Sequence, residues 1–166
     1  MEQPRIINNR IFHDERGSFS PLSLFELDKE WKQSNISVNP KKFTLRGLHY
    51  QTGETSQAKL VKVINGKILD FVVDLRVPLR TYNNCQFFEM KGGDELIIPK
   101  GFAHGFITLE DNTVIQYLVD NDYNPNTEGS LSWCSFAEIK NEILRLDSTF
   151  DDSNIIISEK DLFVKS

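Results

Sequence analysis

The residues able to move protons are few and well separated. The chain has only three histidines, His13, His49 and His104. His49 lies in Leu45-Arg-Gly-Leu-His-Tyr50, ten residues before Lys59, and His104 lies in Ile98-Pro-Lys-Gly-Phe-Ala-His-Gly-Phe106. Tyr117 follows inside the apolar stretch Val114-Ile-Gln-Tyr-Leu118, then Tyr123, and Ser158-Glu-Lys-Asp161 comes close to the end. An imidazole changes charge near neutral pH and serves either as a general base or as a metal ligand. A transition-metal site needs several imidazole or carboxylate ligands in fixed geometry, and a three-histidine set here would have to recruit His13, so a metal-free site is favoured. Each residue also has a plain reading: His49 and His104 as satisfied core histidines, Lys59 as a solvated strand lysine, Tyr117 as a core tyrosine, Asp161 as a surface carboxylate.

The elements that must position them are mostly strands. Lys59–Ile64 and Lys67–Leu75 are β-rich runs joined by Asn65-Gly66, which predicts a two-residue hairpin turn. Gln86–Met90 and Glu95–Ile98 form a second expected pair around Gly92-Gly93, and Gly105–Leu109 with Thr113–Leu118 a third, joined through Glu110-Asp-Asn112. Short strands at this spacing predict an antiparallel sandwich or barrel. Helix signals are peripheral: one turn over Asp28–Gln33, and Phe136–Leu146 with Ile139, Ile143 and Leu146 at helical spacing. Asp151–Ser158 reads as extended chain. No linker, repeat or low-complexity tract divides the 166 residues, so one domain spanning 1–166 is expected.

A net charge of -5 argues against nucleic-acid binding, which calls for clustered Lys and Arg, while leaving room for a local basic pocket. No apolar run approaches the ~20 residues of a membrane span, and Met1–Ile7 has no apolar signal core. Cys85 and Cys134 suit neither a disulfide framework nor a structural zinc site, so the cytoplasm is the expected compartment.

Gly93, Pro99, Gly101 and His104 match the second motif of the cupin superfamily: Pro and Gly make a tight turn, and the next strand's histidine points into a jelly-roll β-barrel. The first cupin motif is degraded, because Gly-Leu-His-Tyr-Gln around His49 has no second histidine nearby.

A longer series is more specific. Phe12-His-Asp-Glu-Arg-Gly-Ser-Phe19, Gln33-Ser-Asn35 with Ser37, Arg46-Gly-Leu-His-Tyr50, Gln57-Ala-Lys59, Val73-Asp-Leu-Arg76, Gly101-Phe-Ala-His-Gly-Phe106, Tyr123-Asn-Pro125 with Glu128, and Ser158-Glu-Lys-Asp161 stand in order. From Phe12 to Asp161 the chain resembles the dTDP-4-dehydrorhamnose 3,5-epimerase family, a metal-free branch of the cupins. The resemblance implies a cofactor-independent isomerase acting on a nucleoside-diphosphate 4-keto-6-deoxy sugar. A C–H beside the ketone is deprotonated to an enolate and reprotonated from the other side, which requires a base, a cation at the oxyanion and an acid. By similarity His49 is the base, Asp161 its carboxylate partner, Lys59 the cation over the C4 oxygen and Tyr117 the acid. Arg46 and Arg16 are implied for the diphosphate, with Arg16 reaching the active site of a neighbouring subunit in a homodimer. Phe19, Gln33, Asn35, His104 and Tyr123 complete the implied substrate-binding set.

The chain also departs from the family pattern. Pro21 replaces a usual Glu, the loop between Asn35 and Arg46 is one residue longer, and Ser135-Phe136 with the helix signal after it replaces an Asp-Pro…Trp-Pro segment. These changes spare His49, Lys59 and Tyr117 but leave open the base, the sugar, and whether C3, C5 or both are inverted. A nucleotide-sugar 3,4-ketoisomerase calls for a second histidine soon after the first, and Tyr50-Gln51 supplies none. The full catalytic set speaks against a non-catalytic sugar-nucleotide-binding cupin, and the histidine count against a metal-dependent dioxygenase.

Overall fold

In the computed structural model, residues 2–7, 11–21 and 30–162 are described. Runs rich in β-branched and aromatic residues form the central strands of the set: β1 Arg5–Ile7, β2 Phe12–Asp14, β3 Gly17–Phe19, β4 Gln33–Asn39, β5 Leu45–Gln51, β6 Lys59–Asn65, β7 Lys67–Asp74, β8 Cys85–Lys91, β9 Glu95–Ile98, β10 Phe102–Thr108, β11 Thr113–Val119 and β12 Glu128–Ser130. Two helices follow, α1 Ala137–Leu146 and the short α2 Glu159–Leu162. Five strands form one sheet in the order β1-β9-β6-β11-β4, and five form the other in the order β12-β5-β10-β7-β8; β2 and β3 make a separate hairpin. Pairing within both sheets is antiparallel. The result is a jelly-roll sandwich of the cupin kind, as expected.

The strands match expectation better than their partners do. None of the three expected strand pairs is a hairpin. β6 pairs with β9 and β11, whereas β7 pairs with β8 and β10, so Asn65-Gly66 is a corner between the sheets. The β8–β9 and β10–β11 links are corners too, and Pro99–Gly101 turns the chain from β9 in one sheet to β10 in the other. The physical reason is that the β6–β7 ribbon pairs along its length with the β10–β11 ribbon, and the two bend over together to close the sandwich. Gly66 still matters at its corner: its φ is 86°, and a Cβ there would collide with Thr113.

Three apolar layers hold the sheets. Between them lie Val61, Val63, Ile68, Val72, Met90, Leu96, Ile98, Phe102, Phe106 and Ile115. The outer face of the β5–β10–β7 sheet, with Leu45, Leu69, Phe71 and Ile107, is covered by Trp133, Phe136, Phe150 and α1. α1 begins within a residue of its expected start. It buries Ile139 and Ile143 completely, each stabilising by about 1.5–3 kcal/mol. Beneath Trp31 and Ile7, Leu60, Ile97 and Leu118 form a smaller layer on the outer face of the other sheet. The helical turn expected over Asp28–Gln33 is not borne out where described: residues 30–32 are not helical and Gln33 opens β4, because the Lys32 N–H already bonds to the Val119 carbonyl and extends the ladder; Asp28 and Lys29 lie outside the described residues. Asp151–Ser158 turns at its start, and Ile156 then bridges to Thr44. No helix among the described residues is long and apolar enough to cross a membrane.

Candidate active site

One end of the space between the sheets is polar and opens into a cavity of about 410 Å³. His49 on β5 and His104 on β10 are direct cross-strand partners in one wall, joined there by Arg46. Lys59 on β6 and Tyr117 on β11 line the cavity from the other sheet, so groups from both walls face the same space.

Each histidine meets a carboxylate. His49 Nε2 lies 2.7 Å from Asp161 Oδ1, and the Gly47 N–H donates to Asp161 Oδ2 at 3.2 Å. α2 brings Asp161 back over the cavity, buried to 4% exposure. Gly47 lets β5 lie close against β10: its φ is 105°, and a Cβ would come within 2.5 Å of the His104 carbonyl oxygen. α2 is itself tied down, because Lys160 Nζ donates to Glu128 Oε2 at 2.8 Å, and Glu128 lies on β12 beside β5. The second pair is deeper: His104 Nε2 lies 2.7 Å from Oδ2 of Asp70, whose side chain is fully buried. Asp70 Oδ1 has no hydrogen-bond partner among the described residues.

These settings shift the titrations. Burial pushes the His49 pKa below 6.5, with Asp161 opposing and Lys59 adding to the fall, so the ring is neutral and able to accept a proton at pH 7. Burial lowers Lys59 to about 8, with Asp70 and Glu128 holding it up. The same ammonium donates to the His49 carbonyl oxygen at 3.4 Å. Burial raises Asp70, opposed by His104 and Lys59, and raises the Tyr117 phenol, opposed by Arg46. A neutral imidazole, an ammonium and a protonated phenol around one cavity are suited to enolisation and reprotonation. Among the described residues no three or more of His, Cys, Asp and Glu gather as a metal ion would require.

Comparison with known proteins bears on this arrangement. The family model for dTDP-4-dehydrorhamnose 3,5-epimerase matches residues 1–166. The chain belongs to that family. A Salmonella typhimurium enzyme of that name is 37% identical over 137 residues, spanning 77% of this chain and 74% of the relative. The Bacillus anthracis enzyme, solved with TDP and PPi bound, superposes with a TM-score of 0.83 at 29% identity over 98% of this chain and 93% of its own. A Legionella pneumophila structure in complex with dTDP-4-keto-L-rhamnose gives a TM-score of 0.80 at 30% identity over 98% and 86%. The protein is thus an isomerase of the epimerase class.

Of the residues singled out in the sequence, this epimerase gathers His49, Lys59, Tyr117, Asp161, Arg46 and His104 around the cavity. Asn35 lies on β4 opposite Tyr117, and the Gln33 amide donates to it at 2.6 Å; neither lines the cavity wall. Tyr123 is 55% exposed, and its hydroxyl donates to Glu128 at 2.9 Å. Arg16 and Phe19 lie elsewhere, on the exposed β2–β3 hairpin, where Arg16 pairs with Asp14. Sequence reasoning missed Asp70. Its signal was available: a lone carboxylate at an inward position of the otherwise apolar run Ile68-Leu-Asp-Phe-Val-Val73.

Proposed function

We propose that the enzyme binds a dTDP-linked 4-keto-6-deoxy sugar between the two sheets and inverts a carbon next to its ketone. His49 removes the proton from C3 or C5 through Nδ1, the ring nitrogen that Asp161 does not hold, and Asp161 stabilises the resulting imidazolium. The electrons move into the carbonyl, and the enolate oxygen forms beside the Lys59 ammonium. Tyr117 then returns a proton from the opposite face, and its phenolate is afterwards reprotonated. The observation that carries this reading is the placement of base and acid on opposite walls of one cavity, since inversion requires loss from one face and gain at the other. His104 and Arg46 share the base's wall and would hold the hexose and the diphosphate. The thymidine nucleotides bound by the Bacillus and Legionella relatives favour dTDP.

The working unit in this reading is a homodimer of one-domain subunits. Arg16 has 84% of its side chain exposed, and it stands on a hairpin whose Phe12 and Phe19 are 52% and 67% exposed. A second copy would cover those rings and receive Arg16 at its diphosphate, with Phe19, Gln33, Asn35 and Tyr123 extending the nucleotide side. Both cysteines are unpaired, which favours a cytoplasmic setting.

The test is NMR of dTDP-4-keto-6-deoxyglucose in deuterium oxide. Wild type should place deuterium at C3, C5 or both, and His49→Ala should place none while still binding dTDP. Unchanged incorporation in the His49 variant would remove the imidazole from the mechanism.

A further inference from the structure

Arg46 is exposed to the cavity, yet it is not free to swing. Its Nε–H donates to Asn39 Oδ1 at 2.8 Å, and its terminal nitrogens make no hydrogen bond among the described residues. Asn39, the last residue of β4, is completely buried. Its amide nitrogen donates to the carbonyls of Thr113 at 3.2 Å and Ser37 at 3.3 Å, and its oxygen accepts from the Ser37 hydroxyl at 3.2 Å as well as from Arg46. Both donors and both acceptor positions of the amide are therefore used, and the two carbonyls decide which end is nitrogen. The oxygen that meets Arg46 cannot rotate away without leaving buried polar groups unmatched.

A strand tie alone does not explain this arrangement. The backbone ladder already pairs Asn39 with Thr113 in register. Fastening a solvated arginine costs side-chain entropy, and little is gained unless the immobilised head has work to do. Holding Nε fixes the guanidinium plane and leaves two terminal NH₂ groups pointing outward as a fork, the geometry that phosphate oxygens accept in pairs.

We infer that Asn39 is a positioning residue, a buried amide that presets the Arg46 fork for the diphosphate of the substrate. This inference rests on the reading of the cavity as a nucleoside-diphosphate-sugar site. Asn39 touches neither the sugar nor the reacting atoms, so it acts on binding through Arg46 and leaves proton transfer alone.

The experiment is a double-mutant cycle over Asn39→Ala and Arg46→Lys, read by calorimetric dTDP binding and steady-state turnover. Arg46→Lys keeps the charge but has no Nε anchor, and it leaves the Asn39 bonds to Thr113 and Ser37 in place. Asn39→Ala should weaken dTDP binding and raise KM by roughly tenfold, with kcat within about twofold. In the Arg46→Lys background the same substitution should change binding by less than about twofold, because the held group is gone. Asn39→Ser, which keeps a hydroxyl in the cluster, should weaken binding like Ala and guards against a folding defect in the first variant. If both Asn39 variants fold and bind dTDP like wild type, or if their loss persists undiminished beside Arg46→Lys, the inference fails. If wild type itself binds no dTDP, the nucleotide reading has failed first, and the two failures are distinguishable.

Discussion

Two histidine–carboxylate pairs stand side by side in one wall of the cavity, at the same 2.7 Å separation, and differ in nearly everything else. His49 has 31% of its side chain exposed and takes its carboxylate from a short C-terminal helix. His104 has 9% exposed and takes its carboxylate from β7, inside the sandwich. The first pair faces the cavity, and its carboxylate comes from a segment that folds back over the sheets. The second is enclosed by the fold itself, and its buried Asp70 also faces Lys59 electrostatically. Equal hydrogen-bond lengths thus conceal different settings: in the proposed mechanism the first pair handles the proton, and the second sets the charge balance behind it.

The comparison breaks most decisively at Asp161. Asp161→Asn removes the charge that stabilises the imidazolium, and turnover should fall on the order of 10²–10⁴-fold with the melting temperature little changed. A loss of only a few-fold would reduce Asp161 to a structural contact. Asp70→Asn sharpens the other side. Asp70 holds the Lys59 pKa up against burial, so removing its charge should lower that pKa further below about 8. In the proposed mechanism Lys59 is protonated when it meets the enolate, so activity should be lost as pH rises through its pKa. The alkaline limb of kcat/KM, expected near 8 in wild type, should move to lower pH in Asp70→Asn, while the acid limb, set below 6.5 by His49, should stay in place. An unmoved alkaline limb would separate Asp70 from Lys59. The smallest effect is expected at Lys160, whose contact with Glu128 is more than half exposed on the lysine side. Lys160→Met should slow turnover about two- to fivefold by loosening the helix that delivers Asp161, and the gap from wild type should widen at lower salt, where the ion pair is less screened.

The residues differ in how readily the sequence reveals them. His49, Lys59 and His104 stand in short family motifs and Tyr117 in an apolar strand, and all four line the cavity. Asp161 was harder, because a carboxylate near a chain's end carries no local mark of burial; only its motif pointed to it. Asp70 and Asn39 lay in plain view inside strands, but a polar residue at an inward position does not say which group will meet it. The expected hairpins failed for a related reason: Asn-Gly and Gly-Gly mark where the chain turns, and the same residues serve a hairpin or a corner.

From the sequence alone came the six strands from Lys59 onward, the peripheral helix expected over Phe136–Leu146, the resemblance to the epimerase family and the chemical types in its site, because β-rich runs, turn residues and motifs are local properties. Which strands are neighbours, and which carboxylate meets which histidine, was decided only by the folded molecule. His49 and Asp161 are 112 residues apart, and no spacing rule spans that distance. Closing so long a stretch costs little more than closing a short one, so packing of the two sheets and the C-terminal layer determines the partners.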